Sequence, residues 1–109
     1  MMRRQGHVPT PDASRYLQRL CYHFTRKITV TYDEHQGQAH FPWGLCLLRA
    51  DGAALHFDCS ADDQASLDRV QFAIDSHVEL FSRKSPMAVD WQPVQTVSAP
   101  AAGTAPPAP

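Results

Sequence analysis

The sequence predicts an α+β fold: a two-layer sandwich in which a four-stranded antiparallel meander carries two helices on one face, in the order α-β-β-β-β-α. Three observations predict it. One stretch near each end repeats apolar residues at helical spacing. Between them lie short runs that alternate apolar and polar residues, as half-buried strands do. The breaks between those runs are turn signals, Pro42-Trp43 and Asp51-Gly52. A sheet with one apolar face needs a cover, and two amphipathic helices supply it.

Residues 1–9 are read as an N-terminal extension in which Gln5 to Pro9 can add a short edge strand. The first helix opens at Thr10, a capping residue, with Pro11 suited to the first helical position and Asp12 complementing the positive dipole end. Ala13, Leu17, Leu20, Cys21 and Phe24 form its buried stripe. Arg15, Arg19, Tyr22 and Arg26 fall on the opposite, outer face.

After Lys27 the period changes to two. Ile28 to Tyr32 reads as a strand, Asp33 to Gly37 as a polar loop, Gln38 to Phe41 as a second strand and Gly44 to Ala50 as a third. Asp51-Gly52 signals a two-residue type I′ hairpin leading into a fourth strand, Ala53 to Cys59. That turn pairs Ala50 with Ala53, so Leu48 faces Leu55 and Cys46 faces Phe57 on the core side. On the other side Leu47 meets His56 and Leu45 meets Asp58. A two-residue turn at Pro42-Trp43 sets His40 beside Leu45 and Gln38 beside Leu47.

The second helix is expected from Ser60, with Asp63 completing a capping-box pattern, and with Leu67, Val70, Ile74, Val78 and Phe81 buried. His77 lies within or beside that stripe, and Pro86 ends the helical region. Met87 to Trp91 alternates and is read as a short final strand. The single domain therefore spans residues 10–92. From Pro93 to Pro109 the chain is Pro/Ala-rich and uncharged, and is expected to be a disordered tail, because it cannot bury enough apolar area to offset its ordering entropy.

Composition excludes several function classes. Ten basic and eleven acidic side chains give a formal charge of -1, which leaves no global footprint for nucleic acid. The basic start MMRRQGHV lacks an apolar core, so it does not read as a signal peptide, and no run approaches membrane-spanning length. A cytoplasmic protein without membrane or nucleic-acid partners is expected. Cys21, Cys46 and Cys59, odd in number and without C-x-x-C spacing, fit a reducing compartment and small buried hydrophobes.

Two surfaces could carry function. The basic helix face gathers Arg15, Arg19, His23, Arg26, Lys27 and Arg83, with His77 across the helix seam, and could receive a carboxylate, a phosphate or an acidic protein surface. The helix-free sheet face shows His40, Leu45, Leu47 and His56, a mixture suited to a protein partner or a homodimer contact. His40, His56 and Asp58 could do acid–base work, but that chemistry wants a cleft, and an open sheet is not one. No Gly-rich phosphate loop, nucleophile elbow or H-E-x-x-H occurs. The sequence thus points to a non-catalytic binding or accessory module with no cofactor. The alternative is a metal- or haem-binding protein or enzyme centred on His23 and His77 with Cys21, holding zinc, iron or haem.

RYLQRLCYHFTRK, TVTYDEHQGQAHFPWG, SHVELFSRK and VDW together resemble the bacterial domain of unknown function 2218. The resemblance covers about Val8 to Gln92. It rests on Arg15, Tyr16, Leu17, Leu20, Cys21, His23, Phe24 and Lys27 in the first helix, on His77 and Phe81 in the second, and on Trp91. The resemblance assigns no reaction. It implies a link to iron-siderophore handling, since similar domains occur near or joined to siderophore-interacting flavin reductases. The chain departs from the family pattern in two places. Arg26 stands where members often carry a second His, and Arg83 is followed by Lys84 and Ser85 where they show Phe-Arg-Glu.

Overall fold

Each amphipathic stretch folds into the element its period dictates, and the sheet then recruits strands that carry almost no apolar signal. The computed structural model describes residues 1–82 and 87–96. In chain order the elements are β1 (Met2–Pro9), α1 (Ala13–Phe24), β2 (Thr29–Tyr32), β3 (Gln36–Phe41), β4 (Gly44–Ala50), β5 (Ala54–Ala61), α2 (Gln64–Phe81), β6 (Asp90–Trp91) and β7 (Gln95–Thr96). The Pro86 stop, Arg83 and the tail beyond Thr96 lie outside the described residues.

Among the described residues the sheet has seven strands rather than four, ordered β2-β3-β4-β5-β1-β6, with β7 also pairing with β1. The order of elements is corrected accordingly: a strand precedes the first helix and two follow the second. The expected meander is present as β2 to β5. Its neighbour β1 is no short edge extension, because all eight of its residues pair antiparallel with β5, from Met2 opposite Ala61 to Pro9 opposite Ala54. Two short strands then cover the far side of β1. The fold continues past Gln92, with Gln95 opposite Arg3 and Val94 packed against the core.

Both helices cover one face. The buried residues of α1 are Ala13, Leu17, Leu20, Cys21 and Phe24. Those of α2 are Leu67, Val70, Ile74 and Val78. They join Val8, Ala39, Cys46, Leu48, Leu55, Phe57 and Cys59 from the sheet in one cluster. Among the described residues the reverse of the sheet is bare: Cys46 and Phe57 are 0% and 1% exposed, whereas Leu47 between their rows is 39% exposed.

The β4–β5 hairpin differs from its expected register by two residues. Ala50 lies opposite Leu55, Leu48 opposite Phe57, Cys46 opposite Cys59 and Leu47 opposite Asp58. A type I′ turn needs left-handed backbone at both central residues. No described residue adopts it, Gly52 included. Instead the Asp51 carboxylate accepts the Ala53 and Ala54 N–H groups, both at 2.8 Å, and builds a wider turn. A slip of two keeps every side chain on its expected face. The Pro42-Trp43 turn follows expectation, with Phe41 opposite Gly44 and His40 opposite Leu45.

The second helix starts later than Ser60. β5 runs on to Ala61, and Asp63 rather than Ser60 is the cap, accepting the Ser66 N–H at 2.7 Å. Thr10 is buried and accepts the Asp12 N–H at 3.1 Å, which sets the entry to α1 just before Ala13. At the C-terminal side Trp91 donates from Nε1 to Asp75 Oδ1 at 2.8 Å, tying β6 to α2. Its ring lies so close over Gly6 that a Cβ there would meet Trp91 Cε3 at 2.5 Å, so β1 needs glycine at this position.

Candidate functional site on the helix-free sheet face

The alternation of five strands places polar side chains in parallel rows on the bare face. One row runs Thr31, Gln38, Leu47, Asp58 and Gln5. The next runs Gln36, Arg49, His56, His7 and Asp90. A third holds Thr29, His40, Leu45, Ser60 and Arg3. The first two rows, Asp90 excepted, line an open groove of about 740 Å³ that crosses from β2 to β1. The face is concave, and this corrects the expectation that an open sheet offers no cleft. Sheet twist and coiling supply the curvature.

The charged groups in and beside the groove are largely committed to one another. Arg3 binds Asp58 bidentately, Nε to Oδ1 at 2.8 Å and Nη2 to Oδ2 at 2.5 Å, which ties β1 to β5 beside the groove. That contact raises the Arg3 guanidinium pKa above its ordinary value through the hydrogen bond first and the charge second. His56 pairs with Asp51 rather than Asp58, Nε2 to Oδ2 at 2.8 Å. Arg49 approaches the same carboxylate at 3.6 Å. Two backbone N–H groups and the His56 ring together hold the Asp51 carboxyl down to about 2. His7 stacks on His56 with centroids 6.3 Å apart.

Other groups remain available. Leu47 forms an exposed apolar step in the groove, and the Gln36, Gln38 and Thr31 side chains beside it make no hydrogen bond among the described residues. The three thiols face the opposite side of the sheet, so the groove offers contact groups rather than a thiol nucleophile. Of the residues expected on this face, Leu47 and His56 line the groove, whereas His40 and Leu45 sit one row outside it. Arg3, which reaches the groove from the outer row through Asp58, joins the site with Gln5, His7, Gln36 and Arg49, none of them expected there. The first three belong to β1, whose only sequence signal is the weak alternation in MRRQGHVP.

On the helix side, His23 and His77 come together, with ring centroids 4.7 Å apart and Phe24 and Phe81 against them. A ring nitrogen of His77, Nδ1, donates to the Ala73 carbonyl at 2.7 Å, since a carbonyl can only accept. Burial pushes the His23 pKa down, helped by His77, Arg26 and Lys27. Cys21 is not part of this pair. It is fully buried and points to the sheet, where a Cβ on Gly37 would lie 2.8 Å from its sulfur. No set of three or more His, Cys, Asp or Glu side chains converges among the described residues. Arg15, Arg19, Arg26 and Lys27 stay free of ion pairs among the described residues, although Arg19 lies 4.8 Å over the Phe81 ring and Arg26 5.7 Å over Tyr22. No helix of the described residues is long and apolar enough to cross a membrane.

The chain belongs to the bacterial family described as "Uncharacterized protein conserved in bacteria (DUF2218)", whose profile matches residues 5–92. Its fold is similar to the NMR structure of PA4090 from Pseudomonas aeruginosa. That protein is 29% identical, with a TM-score of 0.72 over 85% of this chain and 97% of the other. No curated protein matches the chain.

Proposed function

We propose that this family member is a non-catalytic binding module whose working surface is the groove on the helix-free sheet face, and that it docks a protein partner there. The observation that carries the reading is the groove itself. It is built by side chains from five strands, most of its ionic groups are engaged with one another, and it presents an exposed leucine beside the free amide of Gln38. Such a surface favours a neutral, hydrogen-bonding and partly apolar segment over a strongly charged one. The basic residues of α1 form a second surface, suited to an acidic patch on the same partner. The iron-siderophore context comes from the family resemblance alone.

Affinity capture with the full chain, with Leu47→Asp and with Arg15→Glu/Arg19→Glu, each checked for native circular dichroism, tests this division. Loss of one defined partner in the Leu47 variant supports the groove. Identical partner sets for all three proteins refute it.

A second reading rests on the paired imidazoles of His23 and His77, one fixed by a backbone carbonyl as metal-ligating histidines usually are. Zinc or iron bound stoichiometrically by untagged protein, and lost in His23→Ala and His77→Ala, would favour it over the groove.

A further inference from the structure

The two edges of the sheet are treated differently. On the β1 side the sheet ends in β6 and β7, each two residues long, and short strands are a common protection against unwanted pairing. On the other side it ends in β2, Thr29-Val30-Thr31-Tyr32, and no strand among the described residues pairs with its outer edge. This strand holds no proline and no charge, and Thr29, Thr31 and Tyr32 are exposed.

The backbone direction of β2 follows from its turn. Asp33 N–H donates to the Gln36 carbonyl at 2.8 Å. Bonded pairs recur at every second residue of an antiparallel ladder, so Thr31 and Thr29 also turn their backbone groups toward β3. Val30 and Tyr32 therefore aim their N–H and C=O groups outward. Ile28 precedes the strand, and its N–H is taken by the Phe24 carbonyl at 3.0 Å.

The flanking sequence reads Lys27-Ile28-Thr29-Val30-Thr31-Tyr32-Asp33, and it is self-complementary about Val30. A two-fold antiparallel pairing centred there puts Thr29 opposite Thr31, Ile28 opposite Tyr32 and Lys27 opposite Asp33. Both ends thus gain an ion pair, and the two β-branched threonines meet on one face. The outward-facing backbone groups of Val30 and Tyr32 fall on the hydrogen-bonding positions of the new ladder. Centring on Thr31 instead puts Lys27 opposite His35 and Thr29 opposite Asp33, which loses both ion pairs. Asp33 keeps one oxygen for the contact, because Oδ1 alone serves the His35 and Gln36 N–H groups.

We propose that the free edge of β2 is a homodimer interface, in which a second copy of this chain pairs antiparallel about Val30 and is fixed in register by Lys27–Asp33 ion pairs. The interface is isologous, as two-fold contacts are, and joins the two sheets into one. Thr31 and Asp33 line the β2 end of the groove, so the two grooves become continuous across the dimer axis. Four-residue strands bury little area, so association is at the weak end for specific contacts and depends on concentration.

The test is sedimentation of the full chain over a concentration series, combined with amide hydrogen exchange. The wild type is expected to dimerise as concentration rises, with the Val30 and Tyr32 amides gaining protection in step. Lys27→Glu, which sets a second carboxylate against Asp33 at each end of the ladder, is expected to remain monomeric throughout. High salt should weaken the wild-type dimer without abolishing it, because the backbone ladder persists. A monomer at every concentration overturns the proposal. So does a dimer that Lys27→Glu leaves intact, or one whose Val30 and Tyr32 amides exchange at the monomer rate. Because the exchange readout uses wild-type protein, it decides the matter even if a variant folds poorly.

Discussion

Leu47 and Leu48 are consecutive leucines in one strand, and the sidedness of the sheet predicts opposite outcomes for the same substitution. Leu48 is 2% exposed in the core, whereas Leu47 is 39% exposed above the groove. Leucine to alanine removes three carbons, about 2.4 kcal/mol of transfer free energy at ~0.8 kcal/mol each when burial is complete. At Leu48 the surrounding helices cannot collapse fully into the void, so a cavity contribution adds and the total falls in the range of about 2–5 kcal/mol. At Leu47 only part of the side chain leaves water on folding and no closed cavity forms, so the loss should stay below about 1.5 kcal/mol. Urea unfolding of the two single variants, at equal m-values, gives the comparison directly. Thermal midpoints should fall by about 4–8 °C for each kcal/mol lost in a domain of this size. Equal losses, or a larger loss at Leu47, would refute a sheet covered on one face only.

Acid and thiol chemistry supply two more expectations. Asp51, Asp33 and Asp63 all have carboxyl pKa values below the ordinary 3.8, chiefly because backbone N–H groups bind their charged forms, and Asp51 falls to about 2. A lowered folded-state pKa contributes stability above the unfolded value that is lost as pH falls through the folded one. Stability should therefore decline from just below pH 4 toward pH 2, and Asp51→Ala should flatten that decline in an acid titration followed by circular dichroism. Cys21, Cys46 and Cys59 are all buried, and burial pushes the Cys21 thiol up to about 12. An aromatic disulfide reagent at mildly alkaline pH should modify none of them in the native state and all of them in denaturant. Rapid native labelling would contradict the packing of this core.

Sequence alone dictated the periodic features. Every buried residue of α1 was legible from its 3.6-residue spacing, and the faces of β4 and β5 from their alternation, because the apolar side chains that drive folding also write the pattern. The approach of His23 to His77 followed from the same logic, since both lie beside the stripes of helices that share a sheet face. Tertiary context set whatever has no period. β1 carries Arg3, Gln5 and His7 on one side and only Gly6 and Val8 buried on the other, so it is a strand because β5 offers it a ladder, not because its residues demand one. The hairpin register went to the Asp51 carboxylate, which captured two N–H groups in place of a left-handed glycine turn. The groove arose from the curvature of five paired strands, a collective property that no local run of residues encodes.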